Sequence, residues 1–184
     1  MSPVTYKFSV EDYHRMGEAE IFGPEKRLEL IHGDILSMPP IGLKHAITVN
    51  RINQVFTGLF GKQVIVAIQN PLGLSDESEP QPDAVIYKAR DDFYENKAPE
   101  SQDVHLLIEV SDSTLRFDRQ VKLPLYASNN IAEAWIANLR DKQLEIFREP
   151  TAAGYQQKQI LKETETISPI AFPEITLTVL ELLG

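Results

Sequence analysis

The run from Val104 to Val110 constrains the fold of this chain more than any other segment. Its sequence, Val-His-Leu-Leu-Ile-Glu-Val, lacks the strict polar and apolar alternation of a strand with one solvated face. Continuous apolar runs are typical of strands covered on both faces, so we expect this strand at the centre of a sheet. An ionised Glu109 at the end of such a strand is costly to bury unless it is paired or holds a cation.

Hydrophobic periodicity and turn residues on both sides of this strand predict a mixture of helices and strands. We expect helices at Ser9 to about Ala19, about Lys44 to Phe60, and Ser113 or Thr114 to Asn129. We expect extended segments in a hairpin turning at His32-Gly33-Asp34, at Val64 to Ile68, at Ala84 to Tyr87, and in a hairpin pairing Glu133 to Asn138 with Gln143 to Arg148. Tyr155 to Leu161 and Ile175 to Leu180 add further extended or terminal pieces. This order predicts an α/β fold with a mixed sheet rather than a regularly alternating doubly wound one.

Chain length and composition narrow the class of protein. A chain of 184 residues with 42% apolar residues predicts a single domain over residues 1–184. No apolar run is long enough to span a membrane, and the N-terminal segment from Met1 to Lys7 lacks a signal-peptide pattern, so we expect a cytoplasmic protein without a membrane partner. The absence of cysteine excludes disulfides, thiolate zinc sites and cysteine nucleophiles.

The net charge of −9 argues against strong indiscriminate binding of nucleic acid, because phosphate contacts need clustered Lys and Arg. A local basic strip is still compatible with a negative total. Its candidate members are Lys88, Arg90, Arg116, Arg119 and Lys122. The alternative is that these residues form an ordinary solvated face.

Two carboxylates and an amine form the candidate chemical site. Asp83 begins one predicted strand and Glu109 ends another, so neighbouring strands would bring the two carboxylates together. Hard cations such as Mg²⁺ take oxygen ligands and often only one or two protein carboxylates. Lys122 on the following helix could orient or deprotonate an attacking water, or stabilise charge on a phosphate. Glu29 could add a third oxygen ligand.

Each of these residues also has a simpler interpretation. An Asp that follows Pro is often a turn residue. Lys122 could form an ion pair with Asp118 four residues earlier on one helix face. Glu29 could be a surface strand residue, and His45 at a helix start could be a capping or solvated group. The four histidines show no zinc-ligand spacing.

Several blocks of the sequence together resemble one known family. The blocks are Glu29-Leu30-Ile31-His32-Gly33-Asp34 with His45, Gln81-Pro82-Asp83-Ala84-Val85, Leu107 to Thr114, Asp118 to Lys122 with Tyr126, and Glu133-Ala134-Trp135-Ile136. They resemble the putative restriction endonuclease family that is abundant in cyanobacteria and was long catalogued as a domain of unknown function. That family is similar to the PD-(D/E)xK nuclease superfamily.

The resemblance implies a restriction-endonuclease-like αβββαβ core with a mixed sheet, flanking helices and added N- and C-terminal β elements. It implies that Asp83 and Glu109 are metal ligands, with the backbone carbonyl of Val110 as a third. The superfamily lysine would stand at position 111, which is Ser111 here, so Lys122 on the next helix is its expected substitute. Pro124 close behind Lys122 predicts a kink in that helix.

The expected function is hydrolysis of DNA phosphodiester bonds by a water activated by Mg²⁺, for which Mn²⁺ could substitute. The catalytic residues would be Asp83, Glu109 and Lys122. Two alternatives use the same chain: a nuclease fold without catalysis that binds DNA or protein, and hydrolysis of another phosphate ester. An exposed hairpin edge and several aromatic residues, including Trp135 and Phe147, suggest a homodimer.

Overall fold

The computed structural model describes residues 3–184, and these fall into two compact units. The smaller unit contains the described residues up to Pro40 together with Pro71–Gln81. The larger unit contains Ile41–Asn70 and Pro82–Gly184. The single domain over residues 1–184 stays a prediction, and Met1 and Ser2, on which the N-terminal expectation partly rests, lie outside the described residues. No helix in the described part of the chain is long and apolar enough to cross a membrane.

The smaller unit contains α1 (Val10–Glu18), β1 (Leu28–Ile31) and β2 (Asp34–Ser37). The Ser9 side chain caps α1 by accepting a hydrogen bond from the N–H of Asp12, which confirms the helix start predicted at Ser9. Strands β1 and β2 pair antiparallel across a turn in which His32 and Gly33 both have positive φ. This conformation is typical of tight hairpin turns, so the predicted hairpin is confirmed.

The larger unit contains the elements expected of the αβββαβ core. In chain order they are α2 (Leu43–Phe60), β3 (Val64–Ile68), β4 (Ala84–Lys88), β5 (Val104–Ser111), α3 (Leu115–Phe117), a π-helical turn (Asp118–Lys122), α4 (Leu123–Ser128) and β6 (Glu133–Asn138). They are followed by β7 (Gln143–Thr151), β8 (Gly154–Lys162), β9 (Thr166–Ile167), β10 (Leu177–Thr178) and α5 (Val179–Leu183). The α/β fold class is therefore confirmed. The sequence predicts an extended or terminal piece at Ile175 to Leu180, but the structure has only the short strand β10 there, and α5 begins at Val179.

Six strands form one mixed sheet in the order β3-β4-β5-β6-β7-β8. All neighbours are antiparallel except β5 and β6, which run parallel. The connection from β5 to β6 contains α3, the π-helical turn and α4, as parallel neighbours require a long crossover. Strand β5 is interior and almost entirely buried, which confirms the position predicted from its apolar run.

The two faces of the sheet have different neighbours. Leu106, Ile108 and Val110 of β5 belong to the hydrophobic core that also contains buried residues of α2 and α5. Side chains alternate along a strand, so Glu109 points to the opposite face. There it meets side chains of the connection to β6, and α4 packs against β7 and β8. The alternation thus turns Glu109 away from the main hydrophobic core.

The kink expected at Pro124 stays a prediction, and a π-helical turn directly precedes the α-helical segment that contains this residue. The N–H of Leu123 bonds to the carbonyl of Asp118, five residues back, and Pro124 lies in the first turn of α4. A proline is tolerated in a first helical turn because the N–H it lacks needs no partner there. The π-helical turn places both Asp118 and Lys122 in buried positions. Single π-helical turns of this kind are frequent at functional sites.

Candidate functional site

Asp83 lies immediately before β4, next to the end of β5. Ala84 pairs with Ile108 in the antiparallel ladder, which brings Asp83 alongside Glu109 and Val110. The N–H of Val110 donates a hydrogen bond of 2.8 Å to Oδ2 of Asp83. The strand adjacency expected from the sequence is therefore present. Asp83 is 6% exposed, so it differs from an ordinary turn residue at the surface.

Two further groups donate to the Asp83 carboxylate. Nε2 of His45 lies 3.0 Å from Oδ2, and Nε2 of Gln69 donates to Oδ1 at 3.1 Å. Burial alone would raise the pKa of Asp83, but hydrogen bonds and charge from His45, with the bonds from Val110 and Gln69, hold it below its ordinary value. Asp83 is thus an ionised carboxylate at neutral pH. The side chain of His45, from the start of α2, contacts Asp83 just before β4 rather than bulk solvent.

Glu109 receives two donors from the helical connection. The ammonium nitrogen of Lys122 lies 3.1 Å from Oε1 of Glu109, and the hydroxyl of Tyr126 donates to the same oxygen. All three residues are at most 2% exposed. Lys122 and Tyr126 are four residues apart and therefore lie on one side of the helical segment. The buried carboxylate of Glu109 is therefore paired with a positive charge, which offsets the cost of burying it.

Asp118 adds a third buried carboxyl group near Lys122. Its Oδ2 accepts hydrogen bonds from Ser111 at 2.6 Å and from Thr114 at 2.7 Å. Burial raises the pKa of Asp118, although the charge of Lys122 and these two hydroxyls oppose the shift. Ser111, at the position of the superfamily lysine, therefore positions Asp118 rather than supplying an amine.

Glu29 lies in β1 of the smaller unit and is 1% exposed. The interpretation of Glu29 as a surface strand residue is therefore wrong. Strand β1 is buried at all four positions, so alternation does not bring Glu29 to solvent. Its role as a metal ligand stays a prediction.

Most cationic side chains of the basic strip proposed from the sequence have partners in the structure. Arg119 pairs with Glu145, Arg90 pairs with Asp92 at 2.6 Å, and Lys122 pairs with Glu109. The guanidinium of Arg116 donates to Gln120. Acidic residues thus compensate three of these charges, and two of the three partners, Glu145 and Glu109, lie on strands of the sheet.

The structure therefore places the Asp83 carboxylate against the backbone of Val110 and the amine of Lys122 against Glu109. Within residues 3–184, no three His, Cys, Asp or Glu side chains cluster as a metal site. Two carboxylates and a backbone carbonyl are oxygen ligands of the kind that a hard cation with several bound waters takes. Sequence reasoning missed Gln69 and Tyr126 as supporting residues, and it considered Asp118 only as an ion-pair partner of Lys122. Antiparallel pairing of β3 with β4 was the available signal for Gln69, and helical spacing from Lys122 was the signal for Tyr126.

Comparisons with known proteins agree with this architecture. A family model described as Uma2, putative restriction endonuclease, matches residues 10–180. Among solved structures, the chain is similar to the crystal structure of a putative nuclease belonging to DUF820 from Anabaena variabilis. The two share 14% sequence identity with a TM-score of 0.73, over 98% of each chain. At this identity the similarity shows the fold alone. A search of curated proteins gives no match.

Proposed function

Because the chain belongs to the Uma2 family of putative restriction endonucleases, we propose that it is a Mg²⁺-dependent endonuclease that hydrolyses DNA phosphodiester bonds. The observation that carries this proposal is the hydrogen bond from the Val110 N–H to Asp83. This bond ties Asp83 to the end of the strand that carries Glu109. We propose that both carboxylates contribute to one cation site where β4 begins and β5 ends.

The side chains at this point suit a hard divalent cation. Asp83 and Glu109 offer carboxylate oxygens, and the Val110 carbonyl is the proposed third ligand. The lowered pKa of Asp83 supports this assignment because an ionised carboxylate is the form that binds a cation. When bound, Mg²⁺ would activate a water and neutralise charge on the phosphate. Mn²⁺, which favours the same ligands, is the expected substitute.

Lys122 has the role of a catalytic amine in this proposal. Its ammonium group is held 3.1 Å from Glu109, so it lies beside one of the proposed ligands. From this position it would donate hydrogen bonds to the attacking water or to a phosphate oxygen. Tyr126 would keep Glu109 in place, and His45 and Gln69 would do the same for Asp83.

One observation favours a different function, a nuclease fold that binds DNA or a protein without cleaving. The position of the superfamily lysine is Ser111, whose hydroxyl is committed to Asp118. If Lys122 serves only to neutralise Glu109, the site lacks a catalytic amine. Calorimetric titration with Mg²⁺ or Mn²⁺ separates the two functions, because an inactive module has no requirement for the cation.

The experiment that tests the proposal is cleavage of supercoiled plasmid DNA by the full chain with and without Mg²⁺. We expect nicked or linear product only with the cation. Asp83→Asn and Lys122→Met should each remove the activity, whereas Lys62→Met, at an exposed site after α2, should retain it. Equal cleavage by the wild type and both site variants would exclude these residues as the catalytic site.

The homodimer and the cytoplasmic location stay predictions. Two of the aromatic residues that suggested a dimer are core residues, since Trp135 is 0% and Phe147 is 7% exposed. They are unsuitable as interface contacts because the sheet and its helices already cover them. Strand β8 is an edge of the sheet and mostly exposed, which keeps pairing through this edge compatible with a dimer.

A further inference from the structure

A second feature of the larger unit is a basic groove of about 280 Å³, formed by the first half of α2, the turn between β6 and β7, and the end of α5. Three cationic side chains and one acidic side chain line it. The charged lining residues are Lys44, Arg51, Lys142 and Glu163, and the apolar ones include Ile47 and Leu139. This is a local positive charge in a chain whose net charge is −9.

The cations of the groove are less compensated than those of the strip proposed from the sequence. Neither Lys44 nor Arg51 has a carboxylate within salt-bridge distance among the residues that the structure describes. Arg51 donates one bond to the carbonyl of Leu183. A guanidinium has five N–H donors, so others remain for a ligand. Lys142 lies 3.5 Å from Glu163 at exposed positions, where an ion pair contributes little.

The groove adjoins the candidate site through two direct connections. Lys44 precedes His45, whose ring bonds to Asp83. On the other side, the N–H of Leu139 donates a 2.9 Å hydrogen bond to the carbonyl of Ser111, two residues after Glu109. The groove therefore begins at the same end of the sheet as the two carboxylates.

We propose that this groove binds the DNA backbone beside the phosphate that is cleaved, with Lys44, Arg51 and Lys142 contacting successive phosphates. The inference rests on the proposed function, since it assigns a binding surface to the same substrate. Cationic side chains are the groups that contact phosphate oxygens and fix the register of a protein on DNA. Ile47 and Leu139 provide an apolar floor for the sugars.

The test is equilibrium binding of a short fluorescent DNA duplex, measured by anisotropy in EDTA between about 50 and 200 mM salt. The variant Lys44→Gln/Lys142→Gln removes two charges from the groove at exposed positions. The control, Lys62→Gln/Lys97→Gln, removes two exposed charges, one from the segment after α2 and one from the loop between β4 and β5. Both variants change the net charge equally, so total charge alone would affect them alike.

We expect the groove variant to bind more weakly and its salt slope to fall by about one unit for each lysine removed. The control should keep the wild-type slope. In the cleavage assay with Mg²⁺, the groove variant should show a raised KM with kcat retained, because neither lysine touches the reacting atoms.

Three results would overturn the inference. If the wild type binds and cleaves DNA and the groove variant matches it in salt slope and KM, the groove does not bind DNA, while the proposed function stands. An equal loss in both variants would show a response to total charge instead of a groove. Absence of duplex binding by the wild type would overturn both the proposed DNA binding by the groove and the proposed DNA substrate.

Discussion

Lys122 and Glu109 form a buried ion pair between the helical crossover and the central strand of the sheet, with 3.1 Å between Nζ and Oε1. Each residue is 2% exposed. The π-helical turn that ends at Lys122 brings the amine to this depth, and strand alternation turns Glu109 towards it. The pair therefore connects the position of the crossover to the chemistry of the site.

Removal of the amine should destabilise the protein as well as abolish cleavage. Lys122→Met leaves the Glu109 charge buried beside an apolar chain, and breaking such a pair costs about 3 kcal/mol or more. Urea unfolding measures this loss. Glu109→Gln/Lys122→Met, which removes both charges, should lose less than the sum of the single variants. Strict additivity would show that the two side chains do not interact.

The hydroxyl of Tyr126 should matter through Glu109. Tyr126→Phe keeps the buried ring but removes the donor to Oε1, so we expect the affinity for Mn²⁺ to fall about tenfold in calorimetry. Tyr87→Phe is the matched control, because the buried Tyr87 hydroxyl has no hydrogen-bond partner among the described residues. Equal Mn²⁺ affinities in the two variants would contradict a role for the Tyr126 hydroxyl.

His45 should act through Asp83. A carboxylate only accepts hydrogen bonds, so Nε2 of His45 carries the proton that is shared with Oδ2. His45→Ala removes this donor, and we expect Mn²⁺ affinity and cleavage to fall by about tenfold or more. His14→Ala, at a histidine whose side chain is 54% exposed, should leave both unchanged. Wild-type affinity in His45→Ala would show that Asp83 needs no support from this ring.

Glu145 should contribute a pH-dependent part of the stability. Burial would raise the pKa of Glu145, but hydrogen bonds from Arg119, Asn138 and Lys158 hold it below its ordinary value of 4.5. A lowered pKa in the folded state means that the stabilisation is present above pH 4.5 and is lost as the pH falls through the folded-state value.

Glu145→Gln should therefore lower the free energy of unfolding at pH 7 by about 1–3 kcal/mol, with a smaller difference from the wild type at acid pH. Urea unfolding of both proteins over this range is the measurement. A difference that stays constant with pH would show that the charge of Glu145 contributes nothing.

Local patterns in the sequence predicted most of the fold. The continuous apolar run of β5 and the helical spacing of the apolar residues in α2 are determined by nearby residues, so they could be recognised without tertiary information. Asn130 has a φ of 59° just after α4. Asn tolerates this left-handed conformation better than most residues, so it is suited to end the helix there.

Long-range pairing limited the prediction of the site. Asp83 and Glu109 could be placed together because antiparallel strands have a regular register. The partner of Arg119 could not be assigned, because Glu145 lies 26 residues away on another strand. The basic groove was missed for the same reason, since Lys44 and Lys142 come from segments almost one hundred residues apart.

The most direct test of the metal site is a crystal structure of this protein soaked in Mn²⁺, with the ion located by its anomalous scattering. We predict a peak where β4 begins and β5 ends, roughly 2.1 Å from carboxylate oxygens of Asp83 and Glu109 and from the Val110 carbonyl. The peak should vanish in Asp83→Asn. No peak beside these carboxylates at saturating Mn²⁺, or a peak that persists in the variant, would contradict the proposed metal site.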